Sequence, residues 1–195
     1  EKEYFKAHSG KLSEMIRKTG FAVSTDASRY HLNGVYLEKL DNNLMRMTAT
    51  DGHRLSFIDH EVFLKAPEFK RGLIIPRKGL HELEKLLEAS GETIEVAFDR
   101  GYVFAKTNDS YLFIRLIESE YPDYKQVIPQ SVEKLARIHR ETFISALKRV
   151  SLLAHEKSKG VKFILKNNVM EISSSNPDMG DANEEIEIDY TGDQV

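Results

Sequence analysis

Apolar and polar positions alternate with period two along much of the chain. Ile94, Val96 and Phe98 are separated by Glu95 and Ala97, and Leu55 and Phe57 by Ser56, the spacing of half-buried strands. Between such runs lie Asp41-Asn42-Asn43, Asp99-Arg100-Gly101, Asn108-Asp109-Ser110 and Asn167-Asn168. These residues tolerate positive φ, as tight antiparallel hairpins require. Antiparallel sheet is therefore the expected majority element.

Three segments switch to helical spacing. Ser9 reads as an N-cap, Leu12, Met15, Ile16 and Thr19 fall on one face, and Gly20 supplies the stop. Pro76 sits where a first-turn proline is tolerated, Leu80, Leu83 and Leu87 make the next stripe, and Gly91 ends it. The third stripe is Phe143, Ala146, Leu147 and Val150. The expected order is helix, three strands, a short strand, helix, three strands, helix, three strands, an α+β arrangement.

That order contains a repeat. His8 to Ser24 lies on His139 to His155 without a gap, matching Leu12 with Phe143, Met15 with Ala146 and Ile16 with Leu147. After a short deletion, Gly34-Val35-Tyr36-Leu37 meets Gly160-Val161-Lys162-Phe163, and Asn42-Asn43-Leu44-Met45 meets Asn167-Asn168-Val169-Met170. Similar units built from one supersecondary plan are implied. The expected boundary lies near Pro129 to Lys134, giving a complete domain over 1–130 and a partial one over 131–195.

Composition narrows the function classes. With 41% apolar residues in 195, the chain can bury a real core. It has no Cys, which excludes disulfides, thiolate nucleophiles and Cys-based zinc sites and fits a reducing compartment. Apolar runs such as Leu73 to Pro76 fall far short of the roughly 20 residues a membrane span needs. The sequence starts at Glu1 with no initiator Met or secretory core, as expected of a fragment of a longer chain.

The net charge of −3 hides a segregated field. On a helical wheel centred at Leu12, Arg17 and Lys18 straddle the opposite side, and Lys148 and Arg149 hold the same angles on the third helix. Lys134 to Arg149 carries a balance of +4 and Asp181 to Asp193 one of −6. On the second helix, Arg77 and Lys78 cluster at the start, where the helix dipole also favours an anion. For a single helix such residues simply solvate an outer face. Their recurrence at equivalent places suits sequence-independent contact with a phosphate backbone.

Enzyme signatures are absent: no Walker loop, G-x-G-x-x-G, His-Glu-x-x-His or G-x-S-x-G occurs. Thr50-Asp51-Gly52-His53-Arg54 is first of all a turn and binding loop between Met47-Thr48-Ala49 and Leu55-Ser56-Phe57. With Asp26 and His31 nearby it offers the alternative of a metal-dependent phosphoesterase centred on Asp51, His53 and Asp26. A stand-alone nonspecific DNA-binding module is a third reading.

Four motifs carry a resemblance. Arg29-Tyr30-His31-Leu32-Asn33-Gly34, Ala49-Thr50-Asp51-Gly52-His53-Arg54-Leu55, Pro76-Arg77-Lys78-Gly79, and Tyr121-Pro122-Asp123-Tyr124 with Val127-Ile128-Pro129 resemble, in order and spacing, the bacterial DNA polymerase III beta subunit, the sliding clamp. The resemblance covers the chain from about Phe5 to Gln194 as a middle domain and the first half of a last domain. It implies a DNA-clamp fold with helices on the inner face and sheets outside, a head-to-tail homodimeric ring at full length, and no catalytic step, cofactor, metal or membrane. Double-stranded DNA would thread the ring without being read, facing Arg17, Lys18, Arg77, Lys78, Lys148 and Arg149. Tyr30 and His31 match a loop pair that touches DNA, with His31 replacing a commoner aromatic. The polymerase catalytic subunit, clamp loader and repair factors would enter, by short linear motifs, a pocket including Leu32, Thr50, Gly52, His53, Arg54, Leu55, Pro122 and Val127. In that pocket Leu32, Leu55, Pro122 and Val127 supply apolar walls, Gly52 permits close backbone approach, and His53 or Arg54 donates to peptide oxygens. Gln126 stands where relatives carry a basic residue. The implied location is the bacterial cytoplasm, at the nucleoid.

Overall fold

The alternating runs pair into antiparallel sheets, and the helical stripes pack on them. The computed structural model describes residues 3–69, 71–99 and 101–195. The turn reading at Arg100 therefore lies outside the described residues. Contacts divide the chain into two units, one ending at Asp123 and one running from Tyr124 to Val195. The division falls ahead of the Pro129–Lys134 stretch, because the 3-10 turn Tyr124–Val127 groups with the second unit.

In the first unit β1 (Phe5–His8) leads directly into α1 (Ser9–Thr19). β2 (Gly34–Lys39), β3 (Met45–Thr50), β4 (Leu55–His60) and β5 (Leu73–Pro76) follow. Then come α2 (Arg77–Ala89), β6 (Thr93–Asp99), β7 (Tyr102–Lys106) and β8 (Tyr111–Arg115). Two four-stranded sheets result, ordered β1-β6-β7-β8 and β4-β3-β2-β5. The two helices touch each other, α1 lying along β3 and β4 and α2 along β5 and β8. One core unites both halves: Leu12, Met15 and Ile16 from α1, Leu80, Leu83 and Leu87 from α2, and strand residues such as Met45, Met47 and Ile94. Burial of that apolar surface is the main stabilising term.

In the second unit α3 (Arg140–Val150) packs on β10 and β11 of a three-stranded sheet ordered β11-β10-β9, from β9 (Lys162–Lys166), β10 (Val169–Asn176) and β11 (Gly180–Glu187). Its core is smaller, with Ala146, Val150, Met170, Ile172, Ile186, Ile188 and Tyr190 buried. The repeat is visible in detail. α1 and α3 have 11 residues each, and each runs on into a three-residue 3-10 turn. Asn43 and Asn168, aligned in the sequence, both take positive φ, 66° and 57°.

One expectation is corrected and two details are added. β1 was not among the expected strands: it has four residues, and what holds it is its register with β6, Phe5 opposite Val96 and His8 opposite Thr93. Ser9 is not the N-cap. His8 occupies that position without a side-chain cap, while the buried Ser9 hydroxyl accepts a hydrogen bond from Ser90 Oγ at 2.9 Å. Gly20 is the C-cap at which α1 ends, as expected, but it caps in a right-handed conformation with φ −56°, and the chain continues into the 3-10 turn Gly20–Ala22.

Candidate functional site

The outward side of α1 presents Arg17 and Lys18, both exposed in the last helical turn, where cations also offset the negative end of the helix dipole. Among the described residues neither has a carboxylate partner. The aligned pair on α3 behaves differently. Lys148 is exposed and without an ion pair, but Arg149 is clasped by Glu184 of β11, its Nε donating at 3.0 and 3.1 Å to the two carboxylate oxygens. That hydrogen bonding raises the Arg149 pKa. The charges segregated along the sequence meet in space here, because α3 packs on β11.

The second motif folds as a self-bonded turn. Asp51 Oδ1 accepts the backbone N–H groups of His53 and Arg54 at 3.0 and 3.1 Å. The His53 bond, chiefly, holds the Asp51 carboxyl below its ordinary pKa. Thr50 Oγ1 donates to the Arg54 carbonyl oxygen at 2.7 Å and accepts from Gly52 N–H at 3.1 Å. Gly52 has φ +89°, and a Cβ there would lie 2.4 Å from Arg29 Nη1. Glycine is thus needed for Arg29, whose Nη1 donates to the Asp51 carbonyl oxygen at 2.8 Å. The expected room for a peptide backbone at Gly52 is taken by this guanidinium.

That bond bolts the turn to the preceding motif, which forms the 3-10 segment Ala27–Leu32 capped by Asp26. Ser28 Oγ and N–H donate to Asp26 Oδ1 at 2.7 and 2.9 Å and lower its pKa. On this segment Tyr30 is 54% exposed and His31 half-buried. Leu32 is buried, so it packs inward rather than lining an open wall. Leu55 is half-buried, and Pro122 is exposed, as is Val127 of the second unit. The Arg54 guanidinium is bound within the first unit, Nε to Asp51 Oδ2 at 3.1 Å and Nη2 to the Phe21 carbonyl oxygen at 2.8 Å. Its carbon stands 5.6 Å from the centroid of the Phe21 ring, within cation–π range. Any donation from Arg54 to a ligand shares these bonds. His53 is exposed.

Sequence reasoning missed several residues here. Phe21, 58% exposed, is signalled only as an aromatic directly after Gly20 and off the apolar stripe. Tyr121 accepts the Thr50 N–H at 3.1 Å and stacks on Tyr36, centroids 4.8 Å apart and planes 7° apart, which explains a tyrosine in the fourth motif. Phe21, Thr25, Asp26, Arg29, His53 and Arg54 line a mostly polar cavity of about 320 Å3. A second cleft of about 820 Å3 brings together Tyr30, Arg77, Lys78, Arg115 and Glu118. Arg115 was hidden in a strand alternation. A groove of about 620 Å3 in the second unit, beside Lys162, Glu171 and Ser173, holds none of the expected residues.

The alternative phosphoesterase reading finds no support in this geometry. Both candidate carboxylates are spent on their own turns, and among the described residues no three His, Asp or Glu side chains are grouped to hold a metal.

Residues 7–123 match the family model for the DNA polymerase III beta subunit, central domain, and residues 125–195 that for its C-terminal domain. The chain is 31% identical over 188 residues to the beta sliding clamp of Pseudomonas aeruginosa, covering 96% of this chain and 51% of that protein. Among solved structures, the Caulobacter crescentus beta sliding clamp, with polyethylene glycol at a putative beta-motif tethering region, superposes with a TM-score of 0.92 at 31% identity, covering 100% of this chain and 53% of that one. The sliding clamp of Bartonella birtlesii bound to griselimycin gives a TM-score of 0.90 at 30% identity, covering 98% and 52%. The chain thus spans about half the length of the relatives it matches. No helix among the described residues is long and apolar enough to cross a membrane.

Proposed function

The chain belongs to the DNA polymerase III beta subunit family, the bacterial sliding clamps, and from that premise we propose that it serves in a DNA-encircling processivity factor with no catalytic step of its own. The first unit acts as the middle clamp domain and the second as the first half of the last. A head-to-tail pair of clamp-length subunits closes the ring in the bacterial cytoplasm.

The observation that carries this reading is the repetition, in two units of one plan, of an 11-residue helix whose outward side offers cations. Arg17, Lys18 and Lys148, without carboxylate partners among the described residues, together with Arg77 and Lys78, attract phosphates regardless of base sequence. Contacts made by long, mobile side chains and through water hold a duplex while leaving it free to slide. Arg149 contributes less, because Glu184 already neutralises it.

Tethering is assigned to the accessible part of the expected surface in the first unit, Thr50, His53, Arg54, Leu55 and Pro122, with Leu32 and Gly52 supporting it from behind. A short extended segment of a polymerase, clamp loader or repair factor binds there. The rigid turn at 50–54 supports this, since a preorganised surface loses little entropy on binding.

The test uses a clamp-length protein containing this chain, loaded on circular duplex. The expected result is retention on circles and loss within minutes once the circle is cut. Equal retention on linear DNA rejects topological tethering. Separately, Leu55→Ala is expected to weaken griselimycin binding at least tenfold, measured by calorimetry, and unchanged affinity removes the assigned peptide surface.

A further inference from the structure

The turn at 50–54 hangs from the end of β3, where the sheet gives out on one side. β4 still supplies a neighbour there, Leu55 opposite Thr50. The register with β2 stops earlier, at Tyr36 opposite Thr48, so β3, which ends at Thr50, runs on past that neighbour. A backbone N–H left unpaired on a half-buried flank costs free energy and invites the strand end to fray. Tyr121, 71 positions along the chain, supplies the missing acceptor: its phenol oxygen takes the Thr50 N–H at 3.1 Å.

The phenol is itself constrained. Its ring stacks on Tyr36, centroids 4.8 Å and planes 7° apart. Tyr36 is paired on both sides, with Thr48 and Ile74, and Gly72 leaves the space its ring fills, since a Cβ there would overlap that ring. The chain ahead of Tyr121 is tied to the sheet by Ile117 N–H, which donates to the Ile74 carbonyl oxygen at 2.9 Å. The chain behind it is stiffened by Pro122, because a proline confines the residue before it to extended backbone.

Thr50 passes this grip on to the turn. Its Oγ1 donates to the Arg54 carbonyl oxygen and accepts the Gly52 N–H, so a displaced Thr50 takes both with it. Arg29 grips the adjoining Asp51 carbonyl oxygen, and Tyr121 is the second grip from a distant segment. Tyr121 alone also carries Pro122, which is exposed, so one hydrogen bond sets the spacing between that apolar wall and the turn that bears His53 and Arg54.

Resting on the tethering reading above, we propose that Tyr121 is a positioning residue for peptide capture: its hydroxyl keeps the 50–54 turn and Pro122 in the arrangement on which a partner's extended segment docks, without touching that segment. Removing the hydroxyl leaves the ring and its stack but releases the Thr50 N–H to water. The turn then spends part of its time in shapes that do not dock, and the apparent affinity falls with the fraction that still does. Such a loss lies in the association rate. A side chain that contacts the segment behaves in the opposite way, since a lost contact chiefly speeds dissociation.

The experiment follows griselimycin association and dissociation by surface plasmon resonance on a clamp-length protein containing this chain, together with amide hydrogen exchange. Tyr121→Phe is expected to weaken binding three- to tenfold, with slower association carrying the loss and dissociation changed less than twofold. The Thr50 and Gly52 amides are expected to lose protection while Met47, in the core, keeps it. Tyr111→Phe, at an exposed tyrosine of β8, serves as the control and leaves both rates unchanged. Faster dissociation at unaltered association would make Tyr121 a contact residue and overturn the positioning role. Weaker binding accompanied by lost protection at Met47 would make it a packing residue and overturn the role as well. If Leu55→Ala weakens griselimycin binding while Tyr121→Phe leaves it unaltered, the positioning role falls and the tethering reading stands. If neither variant alters binding, the tethering reading itself falls.

Discussion

The two units begin alike and end differently. α1 and α3 have the same length and the same run-on turn, yet Leu12 and Ile16 are buried whereas their counterparts Phe143 and Leu147 are only partly covered. The difference is a neighbour. α1 touches α2 as well as β3 and β4, and α2 brings β5 and β8 with it. α3 rests on β10 and β11, with Ile144 37% exposed. Among the described residues the second unit sets one helix on three strands where the first sets two helices on eight, so the stripe of α3 meets fewer partners.

The sharpest way to break that comparison is to truncate the matched side chains. Ile16→Ala is expected to cost about 2–5 kcal/mol, because the buried side chain leaves a cavity that the packed α1–α2 layer cannot close. Leu147→Ala is expected to cost about 1 kcal/mol or less, since a half-covered site opens to solvent instead. Amide hydrogen exchange at Met47 and Ile172, which lie in the two cores, reads each unit separately. Equal losses of protection would mean that α3 is as fully enclosed as α1.

The aligned glycines Gly34 and Gly160 give the next largest contrast. β2 pairs with β5 through Gly34 opposite Pro76, and a Cβ on Gly34 would lie 2.4 Å from the Ile75 carbonyl oxygen. Backbone cannot move aside as a side chain can, so Gly34→Ala is expected to cost about 1–3 kcal/mol. At Gly160 the nearest atom is Ser158 Oγ at 3.6 Å, and Gly160→Ala is expected to change stability by less than about 0.5 kcal/mol. Thermal unfolding of the two variants checks the pair.

These contrasts also mark how far the sequence could be read. The helical stripes were legible because each is a local period: Leu80, Leu83 and Leu87 are all buried on α2. The repeat was legible because Asn43 and Asn168 perform the same turn. β1 was not, since four residues carry too little pattern and its strand identity comes from β6, far along the chain. Gly20 marked the end of α1, although it caps the helix right-handed and leads into a 3-10 turn rather than a left-handed stop. At the candidate site, the motif residues were legible but their partners were not. Glu184 lies 35 positions from Arg149, and Arg115 lines one cleft with Arg77 and Lys78, where α2 lies close to β8 at Gly79 and Ile114.

The Arg149–Glu184 pair gives a third, smaller test. Among the described residues Arg17 and Lys18 have no carboxylate partner, but Arg149 has one, so the two helices are unequal in field despite equal sequence pattern. Glu184→Gln is expected to strengthen duplex binding two- to fivefold at low salt and to raise the salt slope by up to about 0.9, the share of one added phosphate contact. Unaltered slope would mean that Arg149 points away from bound DNA even when released.

The smallest effect concerns acid. In the first unit the turn after β3 depends on a carboxylate, Asp51 Oδ1 accepting from His53 and Arg54 N–H. In the second unit the turn after β10 depends on an amide, Asp178 N–H donating to Asn176 Oδ1 at 3.0 Å. Asp51 titrates below its ordinary value of 3.8 when folded, and a depressed carboxyl stabilises the fold above its unfolded pKa and loses that contribution as pH falls through the folded one. The 50–54 turn is therefore expected to stay intact from neutral pH down to about pH 4 and to loosen below it. The Asn176 amide does not ionise, so its turn holds over the same range. Hydrogen-exchange protection of the His53 and Arg54 amides, followed against that of Asp178 from pH 6 to pH 2.5 and corrected for the intrinsic pH dependence of exchange, is expected to fall only in the first pair. A parallel fall in all three would show global acid unfolding rather than release of one turn, and would remove the distinction between the two hairpins.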